Sequence, residues 1–243
     1  MSSPVERVFP PHSLRSAVGR AIGDFDMIRD GDRILLGLSG GKDSLSLLHI
    51  LLDLQQRAPV RFALGVCTVD PQSPGFNPGA LEPYVRGLDV PYWLEQQPIV
   101  ESAKSSMSGD SFCAYCSRLR RGILYRVARE QHYNVLALAQ HLDDLAETLL
   151  MSQFFGGKLR TMKANYVNDV GDIRVIRPLV YVRERQTASF AKMAGLPVIE
   201  ENCPACFAQP TARQEMKMLL AEQEKHHPKL FASLKTAMRE LMR

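Results

Sequence analysis

Arg33-Ile34-Leu35-Leu36-Gly37-Leu38-Ser39-Gly40-Gly41-Lys42-Asp43-Ser44 is the stretch that decides the fold. Apolar, β-compatible residues run into a glycine turn, and the apolar run at 45–54 reads as a helix. Strand, glycine turn and helix in that order make an anion cradle. Gly40 and Gly41 let the backbone approach a phosphate, and the helix start offers unpaired N–H groups and the positive end of its dipole. Ser39 and Ser44 add hydroxyl donors, and Lys42 adds a positive charge. Asp43 adds a carboxylate able to help hold Mg²⁺ beside phosphate oxygens. This is not a Walker A loop. That motif needs a glycine five places before the Gly-Lys pair and Ser or Thr after the Lys, where Leu36 and Asp43 stand here.

Upstream, residues 1–11 read as a loose leader without the apolar core of a signal peptide, so a cytoplasmic protein is expected. Leu14, Val18, Ala21, Ile22, Phe25 and Ile28 form a helical stripe over 12–28, ending before Asp30-Gly31-Asp32. Downstream, a helix over 44–56 stops near Pro59, and 62–69 reads as a buried strand. Ligands sit at the carboxyl ends of parallel strands, so Val69 and Asp70 are candidates to face an adenosine, Asp70 reading equally as a residue that starts the loop. Cys67, inside that strand, reads as a core hydrophobe. Residues 71–83 read as loop, 90–94 as a short strand, and 102–111 as a small, polar flap.

Ser117 reads as the N-cap of a helix over 117–130, with Leu119, Ile123, Leu124 and Val127 on one face. Arg118, Arg120, Arg121, Arg126 and Arg129 crowd its other positions. A strand at 135–139 leads through Gln140-His141-Leu142-Asp143-Asp144 into a helix reaching Phe154 and broken at Gly156-Gly157-Lys158. Lys158, Arg160 and Lys163 make a basic loop. A strand at 173–179, a helix at 184–194 closed by Gly195, and a short strand at 196–199 follow. The tail at 213–243 holds two amphipathic helices split at His227-Pro228. Alternating strands and helices indicate an α/β fold built on a doubly wound parallel sheet. Residues 1–200 form its ATP-binding domain, and 201–243 a cysteine-containing helical extension packed on it.

A chain of 243 residues with 45% hydrophobic content builds an ordinary core. No apolar stretch is long enough to span a bilayer, so no membrane partner is expected. The net charge of +4 is a mild excess, compatible with an RNA partner but not demanding one. Five cysteines without a secretion signal argue against a disulfide framework. Four of them form two C-x-x-C pairs, Cys113/Cys116 and Cys203/Cys206. Three chemistries compete for these pairs: a four-thiolate zinc site, a dithiol at Cys113/Cys116, and an iron–sulfur cluster on three or four thiolates.

The Ser39–Ser44 string resembles the signature of the PP-loop ATP pyrophosphatases. Further features extend the likeness: Cys113-x-x-Cys116-Ser117-Arg118-Leu119-Arg120-Arg121-Gly122, Phe154-Phe155-Gly156-Gly157-Lys158, Ile176-Arg177-Pro178-Leu179 and the distal cysteine pair. With them the chain resembles the tRNA 2-thiocytidine synthetases from about Gly19 to Gln214. The resemblance implies an adenine nucleotide alpha hydrolase-like fold, ATP with Mg²⁺, and a [4Fe–4S] cluster on Cys113, Cys116 and Cys206, with Cys203 spare or alternative. It implies tRNA as substrate, a sulfur donor such as a cysteine desulfurase, and by analogy a homodimer.

The implied reaction adenylates the C2 oxygen of a cytidine and replaces it with sulfur. Ser39, Gly40, Gly41, Lys42, Asp43 and Ser44 would hold phosphate or Mg²⁺. Asp143, with Asp144 beside it, would be a metal-binding or catalytic carboxylate, unless both only complement the helix dipole. His141 contacts the nucleotide or is a satisfied loop histidine. Arg120, one turn after Cys116, would reach the cluster side and stabilise the transition state. Arg118 and Arg121, then Lys158, Arg160 and Lys163, would touch RNA phosphates, or are solvated charges. His226 and His227 read as solvated tail residues.

The family commonly has Gly-His-His-x-Asp-Asp where Ala139-Gln140-His141-Leu142-Asp143-Asp144 stands, and many relatives extend further. The competing readings are another PP-loop enzyme acting on a small molecule or thiolated base, and a nucleotide- or metal-binding sensor.

Overall fold

The computed structural model describes residues 7–73, 75–99, 112–199 and 211–243, the side chains of 112–114 excepted. The expected flap at 102–111 and the distal cysteines Cys203 and Cys206 lie outside the described residues.

The sheet is built outward from β1 (Asp32–Gly37), which runs parallel to β2 (Phe62–Asp70) on one side and to β4 (Val135–Ala137) on the other. β3 (Tyr92–Gln96) extends it beyond β2, and β6 (Arg174–Ile176) beyond β4. β5 (Asn165–Val167) closes that edge antiparallel to β6, giving the order β3-β2-β1-β4-β6-β5. Ile34, Leu35 and Leu36 are fully buried because helices cover both faces of the sheet. Successive side chains alternate. Ile34 and Leu36 join a large core with Leu45, Leu48 and Phe190, while Leu35 joins a smaller one with Ile123, Leu124 and Val127. The doubly wound, mostly parallel α/β fold expected from the sequence is the fold observed.

The helices are α1 (His12–Asp24), α2 (Lys42–Arg57), α3 (Leu81–Gly87) and α4 (Phe112–Glu130). α5 (Leu142–Gly156), α6 (Glu184–Met193), α7 (Ala212–His226) and α8 (Leu230–Met238) follow. α2 packs against α6, and α7 packs against α5.

Several boundaries differ from the sequence reading. α1 stops at Asp24, yet the apolar stripe continues because Phe25, Met27 and Ile28 are buried in the turn that follows. Part of the expected loop at 71–83 is helical. Asn77 Oδ1 accepts from Gly79 N at 3.0 Å and opens a turn at Pro78–Ala80, and α3 then buries Leu81 and Val85. Pro83 falls in the first turn of α3, where its missing N–H costs nothing. α4 begins at Phe112, so Ser117 is an exposed residue inside the helix and not its N-cap. Residues 196–199 form no strand. Ile199 instead donates a single backbone hydrogen bond, 2.9 Å, to the Gly40 carbonyl. β5 lies just after the basic loop at 158–163, in residues to which the sequence reading gives no element.

Gly65 of β2 lies opposite Leu35 of β1, where the Tyr133 and Trp93 rings cross over the sheet at 5.6 Å. A Cβ there would sit 2.2 Å from Tyr133 Oη and 2.8 Å from Trp93. Gly65→Ala is therefore expected to cost about 1–3 kcal/mol in urea unfolding, through a forced shift of packed rings. An unchanged midpoint would contradict this packing.

Candidate functional site

The loop after β1 is closed on itself before any ligand arrives. Gly40 adopts φ +85°, a conformation that L side chains rarely accept. Ser44 Oγ donates to the Gly41 carbonyl at 3.0 Å and accepts from Ser39 N at 3.2 Å. Gly41 N donates to Ser39 Oγ at 3.2 Å. No side chain caps α2 at Gly41, so the amides of its first turn remain for an anion.

Lys42 does not lie over this cradle. Its ammonium sits 3.0 Å from Asp43 Oδ2 and 3.0 Å from Glu184 Oε1. Burial alone would lower its pKa, but the two carboxylates outweigh burial and raise it. Asp43 also accepts from the hydroxyl of buried Thr187.

The cradle opens into a cleft of about 610 Å³ at the carboxyl ends of the strands. Ser39, Asp43 and Ser44 form its floor, with Cys67 and Val69 on the β2 side. α4 contributes Cys116, Arg120 and Arg121. Ala139, Gln140, Met162 and Arg177 line the β4–β6 side. This is the switch point of the sheet, where chains leaving neighbouring strands diverge and leave a crevice.

The expected site residues divide. Val69 faces the cleft. Asp70 is turned into the loop after β2, accepting from Gln72 N at 2.8 Å and Gln96 Nε2 at 3.4 Å. Cys67 borders the cleft, but burial pushes its thiol up to about 12, as befits an inert core residue. Arg120 and Arg121 both line the cleft, so Arg121 stands with Arg120, while Arg118 is exposed. Lys158, Arg160 and Lys163 are exposed. Cys113 lies three residues before Cys116 in α4, with its side chain outside the described atoms.

His141 caps α5, with Nδ1 accepting from Asp144 N at 3.4 Å while Asp144 Oδ2 accepts from His141 N at 2.9 Å. Its Nε2 lies 3.7 Å from Asp43 Oδ2. The two adjacent carboxylates face different ways. Asp144 lines the main cleft, whereas Asp143 borders a separate cavity of about 220 Å³. Asp143 accepts from Arg183 Nε at 3.1 and 3.2 Å and from Glu184 N at 2.8 Å. Among the described residues, no group of three or more His, Cys, Asp or Glu side chains is arranged to hold a metal ion.

Glu184, Thr187, Gln140 and Arg177 were not singled out as site residues from the sequence. Gln140 and Arg177 do stand in motifs that the sequence marks, Gln140-His141-Leu142-Asp143-Asp144 and Ile176-Arg177-Pro178-Leu179, whereas Glu184 and Thr187 carry no such signal.

Residues 13–215 match the family model described as the PP-loop domain. The tRNA-cytidine(32) 2-sulfurtransferase of Geobacter sulfurreducens is 44% identical over 226 residues, covering 93% of this chain and 88% of that protein. The protein of the same name from Syntrophotalea carbinolica is 44% identical over 230 residues, covering 94% and 88%. Among solved structures, the U34-tRNA thiolase NcsA from Methanococcus maripaludis, with its [4Fe-4S] cluster, has a TM-score of 0.73. It is 22% identical over 94% of this chain and 78% of its own, a likeness of fold.

Helix α7 is tied to the cradle by charge. Lys217 of α7 sits 2.6 Å from Glu184 Oε2, the carboxylate that also holds Lys42. Burial works to raise the Glu184 pKa, but hydrogen bonds from Lys217 and Lys42 outweigh it and hold the group at about 2. A carboxyl depressed on folding stabilises fully above the ordinary carboxylate range, and that stability is lost as pH falls through its folded pKa. Glu184→Gln should therefore cost about 1–2 kcal/mol at pH 7, discounted for partial exposure. The gap to the parent should close as pH falls from about 4.5 to 2. Urea unfolding at pH 7 and pH 3 measures it, and an equal gap at both would contradict the pairing.

Proposed function

This chain belongs to the PP-loop family and is one of its tRNA sulfurtransferases, and from that premise we propose that it uses ATP to replace the C2 oxygen of a tRNA cytidine with sulfur. The observation that supports this reading most is the sharing of one cleft by the Ser39–Ser44 cradle, Cys116 and Arg120.

In the first step the C2 oxygen attacks the α-phosphorus of ATP. A P–O bond forms, the bond to the β-phosphate breaks, and pyrophosphate leaves. In the second step hydrosulfide attacks C2. A C–S bond forms, the C–O bond breaks, AMP leaves, and a proton is released. Adenylation converts a poor leaving oxygen into AMP. The chain's own work is to position reactants and neutralise phosphate charge.

The amides and hydroxyls of Ser39, Gly40, Gly41 and Ser44 hold the phosphates. Lys42, released from Glu184, turns its ammonium to the same oxygens. Asp43 and Asp144 are the carboxylates that would share Mg²⁺ with the triphosphate, a role that needs only one or two of them. Asp143, held by Arg183, serves the reaction by fixing the start of α5. Arg120 and Arg121 face the charge that develops on the α-phosphate. Exposed Arg118, Lys158, Arg160 and Lys163 supply phosphate contacts along the tRNA, which makes binding salt-dependent.

The half-buried thiol of Cys116, opening onto the cleft from a C-x-x-C helix, suits a thiolate-bound metal centre. Cys113, Cys116 and Cys206 would hold a [4Fe–4S] cluster, with Cys203 the alternative third ligand. Bound there, the cluster would supply a Lewis-acidic iron able to activate sulfur for attack on C2. The sulfur would come, in the cytoplasm, from the persulfide of a donor protein of the cysteine desulfurase kind, which a thiol reductant converts to hydrosulfide. Among the described residues, no helix is long and apolar enough to cross a membrane.

Anaerobic reconstitution with iron and sulfide, followed by ATP and tRNA, tests the reading. Thiolated cytidine should accumulate with AMP and pyrophosphate, and Cys116→Ala should lower its rate by at least about a hundredfold. Undiminished thiolation by Cys116→Ala would remove the cysteines from the chemistry. ATP turnover stimulated by a small carbonyl compound and not by tRNA would point to a different PP-loop enzyme.

A further inference from the structure

The cleft has two unlike halves. The half over β1 and β2 holds the phosphate cradle and Val69, while the half over β4 and β6 holds Ala139, Gln140, Met162 and Arg177. Arg177 is buried on the cleft wall, and among the described residues no carboxylate pairs with it. Two of its five N–H donors are committed to the protein. Nε donates to Gln140 Oε1 at 2.9 Å and Nη1 to the Lys163 carbonyl at 2.6 Å. The Tyr166 ring lies 5.4 Å from the guanidinium carbon. The guanidinium is anchored on Gln140 and the Lys163 carbonyl through these two bonds. It locks its neighbour.

That lock fixes the Gln140 amide. Arginine carries donors only and stays protonated in proteins, so the Gln140 atom facing it must be the carbonyl oxygen. The amide nitrogen is thereby turned away from Arg177, and the bond to Arg177 is the one side-chain hydrogen bond Gln140 makes among the described residues. Gln140 is half-buried and on the cleft wall, flanked by the apolar side chains of Ala139 and Met162. A fixed N–H donor on a cleft wall beside apolar side chains can read one edge of a flat heterocycle.

We propose that the β4–β6 half of the cleft is the pocket of the target base, and that Gln140 selects cytosine by donating an amide N–H to its N3. This rests on the tRNA-thiolation reading and adds the residue that sets its base specificity. Cytosine N3 is an acceptor, whereas uracil carries a hydrogen there and would meet Gln140 donor to donor. A site built to hydrogen-bond one base rejects the other because a buried polar group is left unpaired. Arg177 acts through Gln140 as a positioning residue.

Two substitutions separate this from a structural role. Gln140→Glu keeps an oxygen for Arg177 but replaces the outward donor with an acceptor. Gln140→His keeps both functions while neutral, one ring nitrogen accepting from Arg177 and the other donating outward. The reconstituted holoenzyme is assayed for ATP binding, and for thiolation of tRNA transcripts carrying cytidine or uridine at the target position. Both variants should bind ATP within about twofold of the parent, the affinity being set by the cradle. Gln140→Glu should lose about tenfold to a hundredfold in kcat/KM for cytidine tRNA, and its preference for cytidine over uridine should narrow by a similar factor. Gln140→His should recover most of that loss near pH 8. Relative to the parent, it should fall off below about pH 6.5, where a protonated imidazole can no longer accept from Arg177.

Unchanged cytidine preference in Gln140→Glu would overturn the inference. So would a loss confined to ATP binding, which would assign Gln140 to the nucleotide half. A parent enzyme that thiolates no tRNA would instead defeat the underlying reading.

Discussion

The structure depends on the parallel pairing of β1 with β2 on one side and β4 on the other. Because β1 is buried on both faces, its register is fixed by core packing, and the chain leaving Gly37 has one place to go. That place is the crevice between diverging connections, where the glycine turn and the start of α2 meet the ends of β4 and β6. Ser39, Val69, Ala139, Gln140 and Arg177 reach the cleft from these strand ends, and Cys116, Arg120 and Arg121 reach it from α4. Each therefore inherits its position from the same register.

A second constraint acts within the site. The cradle and helix α7 share their charges. Asp43 is held by Lys42 and Thr187, Lys42 by Glu184, and Glu184 by Lys217 of α7. Arg213 of the same helix reaches Asp144 at 3.5 Å and Glu147 at 3.0 Å. α7 directly follows the segment bearing Cys203 and Cys206. The glycine turn and α7 are thus one electrostatic unit, with Lys42 and Lys217 sharing the Glu184 carboxylate.

What could be read from the sequence follows from how local each signal is. The strand, turn and helix at 32–57 are written in consecutive residues, and so was the anion cradle. The doubly wound sheet followed from the alternation of apolar runs. α3 was hidden because Pro78, Gly79 and Pro83 read as loop, although Leu81 and Val85 repeat at helical spacing. Asp143 and Asp144 were legible as a pair but not as individuals. Neighbours on a helix point about 100° apart, and packing alone decided that Asp144 faces the cleft while Asp143 meets Arg183. Glu184 and Thr187 reach Asp43 and Lys42 across more than 140 residues of chain, and Arg177 reaches Gln140 across 37. No periodicity or motif encodes such meetings, which come from the sheet order.

The most direct measurement of this division of labour is amide hydrogen exchange of the reconstituted protein, with ATP·Mg²⁺ and then with tRNA. ATP should slow exchange across 38–45, through amides bound to phosphate, and leave 162–166 and 174–177 nearly unchanged. Addition of tRNA should then protect 138–140 and 162–166. Protection of the β4–β6 side by ATP alone, with 38–45 exchanging as in the free protein, would contradict a phosphate cradle on one side of the cleft and a base pocket on the other.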